Sequence, residues 1–139
     1  MADVHTKKQR SYNMSRIRSR GTGPELRFRK YIWKKGIRGY RIKNKINGNP
    51  DLYFPISKAA VFIDGCFWHK CPECFIEPSS NRRFWKRKIG HNIKRDIEVN
   101  GNLSRKGVKV FRFWEHEVLN NLSDITNRVI KYVEKEKER

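Results

Sequence analysis

Lys58-Ala59-Ala60-Val61-Phe62-Ile63-Asp64-Gly65-Cys66-Phe67-Trp68-His69 is the stretch on which the fold turns. Its first half is a continuous apolar run, the pattern of a strand buried on both faces of a sheet. Its second half places an acid, a thiol, two aromatics and an imidazole directly beyond that strand. Upstream, Tyr40-Arg41-Ile42 and Asp51-Leu52-Tyr53-Phe54 are strand candidates, separated by the turn Asn47-Gly48-Asn49-Pro50 and stopped at Pro55. Before them, Thr22-Gly23-Pro24-Glu25 has the spacing of a capping box with a proline in the first turn, which opens a helix running to Gly36. Downstream, Phe84, Trp85, Ile89, Ile93, Ile97 and Leu103 predict a helix from about Asn81 to Lys106, weakened by Gly90 and Gly101 and ended by Gly107. Val108 to Trp114 alternates as a strand. Ser123-Asp124 caps a last helix through Tyr132, and Lys135 to Arg139 reads as a frayed, charged end. Helix, three strands, helix, strand, helix predicts an α/β fold: a mixed β-sheet flanked by helices.

The chain has 139 residues, with 33 Lys or Arg against 14 Asp or Glu, a net charge of +19. That length fits one domain with a tail. Residues 1–20 form a basic arm, in which Lys7, Lys8, Arg10, Arg16, Arg18 and Arg20 face the single acid Asp3; residues 21–139 form the domain. The arm is either a solvated tail or a segment that orders on a phosphate backbone. A mean hydropathy of −0.88 leans toward disorder, but Trp33, Trp68, Trp85 and Trp114 argue for a folded chain. Such a charge calls for a polyanionic partner, foremost nucleic acid. No apolar run is long enough to cross a bilayer, and the first residues lack the apolar core of a secretory signal, so a cytoplasmic protein without a membrane partner is expected.

Asp51, between a proline turn and a strand, reads as a turn-capping acid or as a ligand for Mg²⁺, which takes carboxylate oxygen and bridges phosphates. Asp64, at the end of the next strand, is a second carboxylate that a hairpin would bring near it. His69 beside aromatics is either a packed residue or a base with an ordinary pKa of about 6.5, suited to deprotonating water. Phe67-Trp68 either plugs the core or stacks on a base. Cys71-Pro72-Glu73-Cys74 has the spacing of a zinc knuckle and of a redox dithiol; zinc needs two further ligands, for which Cys66, His69, His91, Asp96 and His116 are candidates.

Asp64-Gly-Cys-Phe-Trp-His69, preceded by Pro50-Asp51 and followed by Phe84-Trp85, Arg95-Asp96 and Val110-Phe-Arg-Phe-Trp114-Glu115, resembles the very short patch repair (Vsr) DNA mismatch endonucleases. The likeness runs from Met1 to about Val118 and includes Arg10-Ser-Tyr-Asn-Met14. It implies a restriction-endonuclease-like core, a Mg²⁺-dependent nick beside the T of a T:G mismatch in double-stranded DNA, and a structural Zn²⁺. By position, the resemblance makes Asp51 the magnesium-binding carboxylate with the Ile63 carbonyl, and His69 the base that activates water. Glu25 becomes an acid near the site, and Asp64 a catalytic residue where some relatives have His. Cys71, Cys74, Asp96 and His116 become the zinc ligands. Met14, Phe67, Trp68 and Trp85 become the wedge that opens DNA beside the mismatch. A monomer in the bacterial cytoplasm, near the nucleoid and other mismatch-repair proteins, is the setting it implies. A less selective or junction-cutting nuclease on the same core, and a zinc-stapled DNA-binding module without turnover, are the alternatives.

Overall fold

The computed structural model describes residues 23–66, 69–73 and 75–137. The basic arm with Met14, the capping residue Thr22, the aromatics Phe67 and Trp68, and Cys74 lie outside the described residues. Helix α1 spans Gly23–Lys34, with Glu25 in its first turn, and buries Glu25, Phe28 and Ile32 at helical spacing. Strand β1 (Leu52–Phe54) pairs antiparallel with β2 (Ala59–Asp64), which pairs in parallel with β3 (Lys109–Trp114). The sheet order is β1-β2-β3, so β2 is central and buried almost throughout. That is the placement its unbroken apolar run requires.

Helix α2 (Arg82–Arg105) carries the chain from β2 to β3 and runs through both internal glycines. Beyond it, Gly107 adopts a left-handed φ of 78°. The Val108 N–H reaches the Leu103 carbonyl and the Gly107 N–H the Ser104 carbonyl, satisfying the last turn. Helix α3 (Glu115–Asn120) and helix α4 (Leu122–Lys137) complete the chain.

Two outcomes differ from the sequence expectation. Tyr40 to Ile42 is not a strand: Arg41 alone bridges to Tyr53, exchanging both backbone hydrogen bonds with it. A further helix, α3, precedes the last one, where no helix was expected. α3 follows β3 without a loop because Glu115 and Glu117 favour its N-terminus and the Glu117 carboxylate accepts the Trp114 N–H. α4 continues to Lys137, past Tyr132, since Ile125, Val129 and Val133 keep an apolar stripe against the core.

The sheet separates two apolar layers. Leu52, Phe54, Ala59, Val61 and Phe113 pack against Phe28 and Ile32 of α1, Val118 of α3, and the stripe of α4. Ala60 and Phe62 face the other way, against Val99 and Leu103 of α2. Among the described residues no helix is long and apolar enough to cross a membrane.

Candidate active site

Alternation along β2 decides what reaches the α2 layer. Phe62 and Asp64 lie two residues apart and so share a face. In the parallel register Phe62 is opposite Arg112 of β3, which puts the guanidinium over the ring, 4.0 Å from its centroid. From there the Arg112 Nη1 donates to Asp64 Oδ1 at 2.9 Å and lies 3.5 Å from Asp96 Oδ1. Its Nε donates to Asn100 Oδ1 at 2.6 Å. Asp96 and Asn100 are one helical turn apart on α2 and therefore present to the sheet together.

His69 sits in the loop after β2, its N–H bonded to the Gly65 carbonyl. Its Nδ1 is hydrogen-bonded to Asp96 Oδ2, and its Nε2 lies 3.9 Å from Asp64 Oδ1. With Nδ1 engaged, Nε2 is the nitrogen available to take a proton. Burial would lower the His69 pKa, but the hydrogen bond to Asp96 and the charges of Asp64 and Asp96 outweigh it, and the net shift is upward. Burial likewise raises Asp64, against the pull of Arg112 and His69.

Asp51 precedes β1 and is fixed there by its own N–H on the Val61 carbonyl, 2.8 Å, while its Oδ2 accepts the Ile63 N–H at 2.6 Å. Burial, joined by the charge and hydrogen bond of Glu25, pushes its pKa up to about 7, although the Ile63 N–H works the other way. Glu25 and Asp51 are both buried. Two adjacent buried carboxylates must share a proton or a cation, and their all-oxygen donor set suits a hard divalent ion. Asp51, Ile63, Asp64, His69, Arg95 and Asp96 line one cavity of about 410 Å³. The turn at Gly48 forms part of its wall. Gly48 has a φ of 85°, and a Cβ there would meet Val99 Cγ1 at 2.5 Å, so the turn lies flush on α2.

A second cluster lies beyond the strand ends. Because Asp64 and Trp114 are register partners, Cys66 and His116 leave the sheet side by side. The Cys66 N–H donates to Glu115 Oε1, and the Cys71 N–H to the Cys66 carbonyl. The Sγ atoms of Cys66 and Cys71 are each 3.5 Å from His116 Nδ1. Bonds of about 2.3 Å to sulfur and 2.0 Å to nitrogen at a tetrahedral angle give a separation of about 3.5 Å, so the donors are spaced for zinc. His116 Nε2 is 3.2 Å from Glu73 Oε2, the kind of outer contact that orients a ligating imidazole.

Of the residues singled out in the sequence, the structure thus gathers Glu25, Asp51, Ile63, Asp64 and His69 around one end of β2. It parts Asp96 from the sulfur atoms. Expected with Cys71, Cys74 and His116, Asp96 instead projects from α2 onto the sheet and holds His69, and Cys66 takes the place beside Cys71 and His116. His91 is exposed on α2. Trp85 is half-buried, edge-on to the exposed Phe84, and lines a separate cavity with Lys70, Arg82 and Lys86. Sequence reasoning missed Arg112 and Asn100, whose partners become visible only once the strand register is known.

Residues 2–74 match the family model of DNA mismatch endonuclease Vsr. The chain belongs to the Vsr family. Among Vsr relatives it is 35% identical over 118 residues to DNA mismatch endonuclease Vsr of Escherichia coli strain K12, covering 83% of this chain and 74% of the relative. It is 42% identical over 115 residues to the type II nicking enzyme V.NaeI of Lentzea aerocolonigenes, covering 79% and 69%. It is 36% identical over 137 residues to the type II nicking enzyme V.NmeAIP of Neisseria meningitidis serogroup A, covering 96% and 97%. Vsr membership makes this chain one of a family of DNA endonucleases and carries a restriction-endonuclease-like fold, with which the small mixed sheet between helices agrees.

Proposed function

We propose that this chain is a Mg²⁺-dependent endonuclease that nicks one strand of duplex DNA beside the T of a T:G mismatch, the first step of very short patch repair. The observation that carries the reading is a fixed imidazole, His69, sharing one cavity with the buried Asp51 carboxyl, which Glu25 backs through a hydrogen bond. A binding module gains nothing from acids facing phosphate.

Asp51, the Ile63 carbonyl and Glu25 would hold Mg²⁺, which when bound neutralises charge developing on the scissile phosphate. His69 Nε2 takes a proton from the attacking water, Asp96 fixes the ring through Nδ1, and the Asp64 charge, 3.9 Å from Nε2, favours the protonated imidazole that results. The arm, residues 1–20, and the basic helical faces grip phosphates without reading sequence. Met14, Phe67, Trp68 and Trp85 wedge the duplex open where a T:G pair stacks poorly. Cys66, Cys71 and His116, with Cys74 as the fourth ligand, would hold a structural Zn²⁺ that staples the loop carrying His69.

The test compares T:G and matched duplexes with Mg²⁺ present. A single-strand nick confined to the T:G duplex is expected. Equal cleavage of both would make the chain a less selective nicking enzyme; several relatives carry the name type II nicking enzyme. Binding without any nick would overturn the enzymatic reading.

A further inference from the structure

We propose that Arg112 is a positioning residue of this site, a fork that sets Asp64 and Asp96 on either side of the His69 ring. The inference rests on His69 acting as the base of the proposed nicking reaction. Both carboxylates contact the imidazole, Asp96 at Nδ1 and Asp64 on the Nε2 side. Nothing in the backbone ties them together, because one ends β2 and the other projects from the middle of α2. Arg112 Nη1 is the group between them, 2.9 Å from Asp64 Oδ1 and 3.5 Å from Asp96 Oδ1.

The guanidinium is itself held from two further sides. Phe62 supports its face at 4.0 Å, and Asn100 takes the Nε proton at 2.6 Å. Its side chain is only 17% exposed. Although Arg112 lines the same cavity, its cation is engaged by the two carboxylates, Phe62 and Asn100 and not left free as on a surface arginine. It can instead fix the separation of two like charges, which repel one another without it. Asn100, one turn from Asp96, keys the fork to α2, while the β2–β3 register keys it to the strand. Arg112 therefore couples helix and sheet at the place where the imidazole must be aimed, and aim is what a general base needs.

The test uses Arg112→Met and Arg112→Lys in the full-length chain. Three readouts are taken: single-turnover nicking rate, duplex dissociation constant, and the nitrogen-15 signature of the His69 ring in the DNA-free protein. Arg112→Met is expected to slow nicking by about 10- to 100-fold, the range found when an orienting partner is lost, and to leave the dissociation constant within about twofold. The bonded Nδ1–H signal of His69 should broaden or disappear. Arg112→Lys keeps the charge without the fork and should recover only part of the rate. If Arg112→Met fails to fold, the comparison of Arg112→Lys with the parent chain decides by the same criteria. Parental nicking by the substituted chain would overturn the proposal, as would full recovery with lysine. Weaker DNA binding with an unchanged rate would make Arg112 a phosphate contact instead. If the parent chain nicks no duplex, the proposed function fails, and the His69 ring signal still judges Arg112.

Discussion

Asp51, Asp64, Asp96 and His69 form one cluster at the end of β2, and Cys66, Cys71 and His116 form another a few residues beyond it. The first is rich in oxygen, opens on a cavity of about 410 Å³, and contains carboxyl groups whose pKa values burial has raised. The second is built on two buried thiols and an imidazole at tetrahedral spacing. The stretch from Asp64 to Cys71 contributes to both, so the division comes from donor chemistry and access. Hard oxygen facing a cavity suits an ion that must meet substrate, whereas buried sulfur suits an ion that never does. Asp96 marks the border: by composition it suits either cluster, and the α2 face on which it lies assigns it to the oxygen side.

The comparison breaks most clearly on catalysis. His69→Ala and Asp51→Asn should each reduce the single-turnover nicking rate by about 10²- to 10⁴-fold, while both variants stay folded and zinc content stays at the parental level. Parental rates in either variant would empty the oxygen cluster of its chemical role. On the sulfur side, Cys71→Ser should abolish zinc binding, read by metal analysis, and lower the unfolding free energy by roughly 2–4 kcal/mol. A folded, active and zinc-free Cys71→Ser protein would sink the staple.

The smallest effect concerns pH and sharpens the contrast. The Asp51 carboxyl has a pKa of about 7 in the folded chain against an ordinary 3.8. Between those values the folded state holds a proton that the unfolded state has released, so this group costs stability increasingly as pH rises through the window. A cation bound at Asp51 must displace that proton. The Mg²⁺ concentration giving half the maximal nicking rate should therefore be about tenfold higher at pH 6 than at pH 8. A flat Mg²⁺ requirement across that range would show that Asp51 is not the ligand.

Much of this architecture was readable before any coordinates. The unbroken run of β2 announced a central strand, and helices were bounded by Pro24 through its fixed φ and by Gly107 through its freedom to take a positive one. Local rules failed where tertiary geometry decides. Tyr40 to Ile42 has strand-like residues, but only Arg41 meets a partner edge. Helix α3 follows a strand with no punctuating residue, so nothing local separates it from its neighbours. Arg112 owes its role to lying opposite Phe62, a relation between residues fifty positions apart. The choice between Cys66 and Asp96 likewise depended on which side of the sheet α2 covers. Spacing along the chain carries no such information.

The parallel pairing of β2 and β3 has one more consequence. Cys71 and His116 lie 45 positions apart in sequence, yet their side chains meet where the two strands run out. A metal ion held there closes a loop around the whole of α2, as a disulfide would, without needing an oxidising compartment. By the chain-entropy relation for cross-links, a loop of that size disfavours the unfolded ensemble by about 4 kcal/mol. For a molecule whose positive charges repel one another until DNA arrives, such a tether across the β2–β3 crossover would be a means of staying folded while unbound.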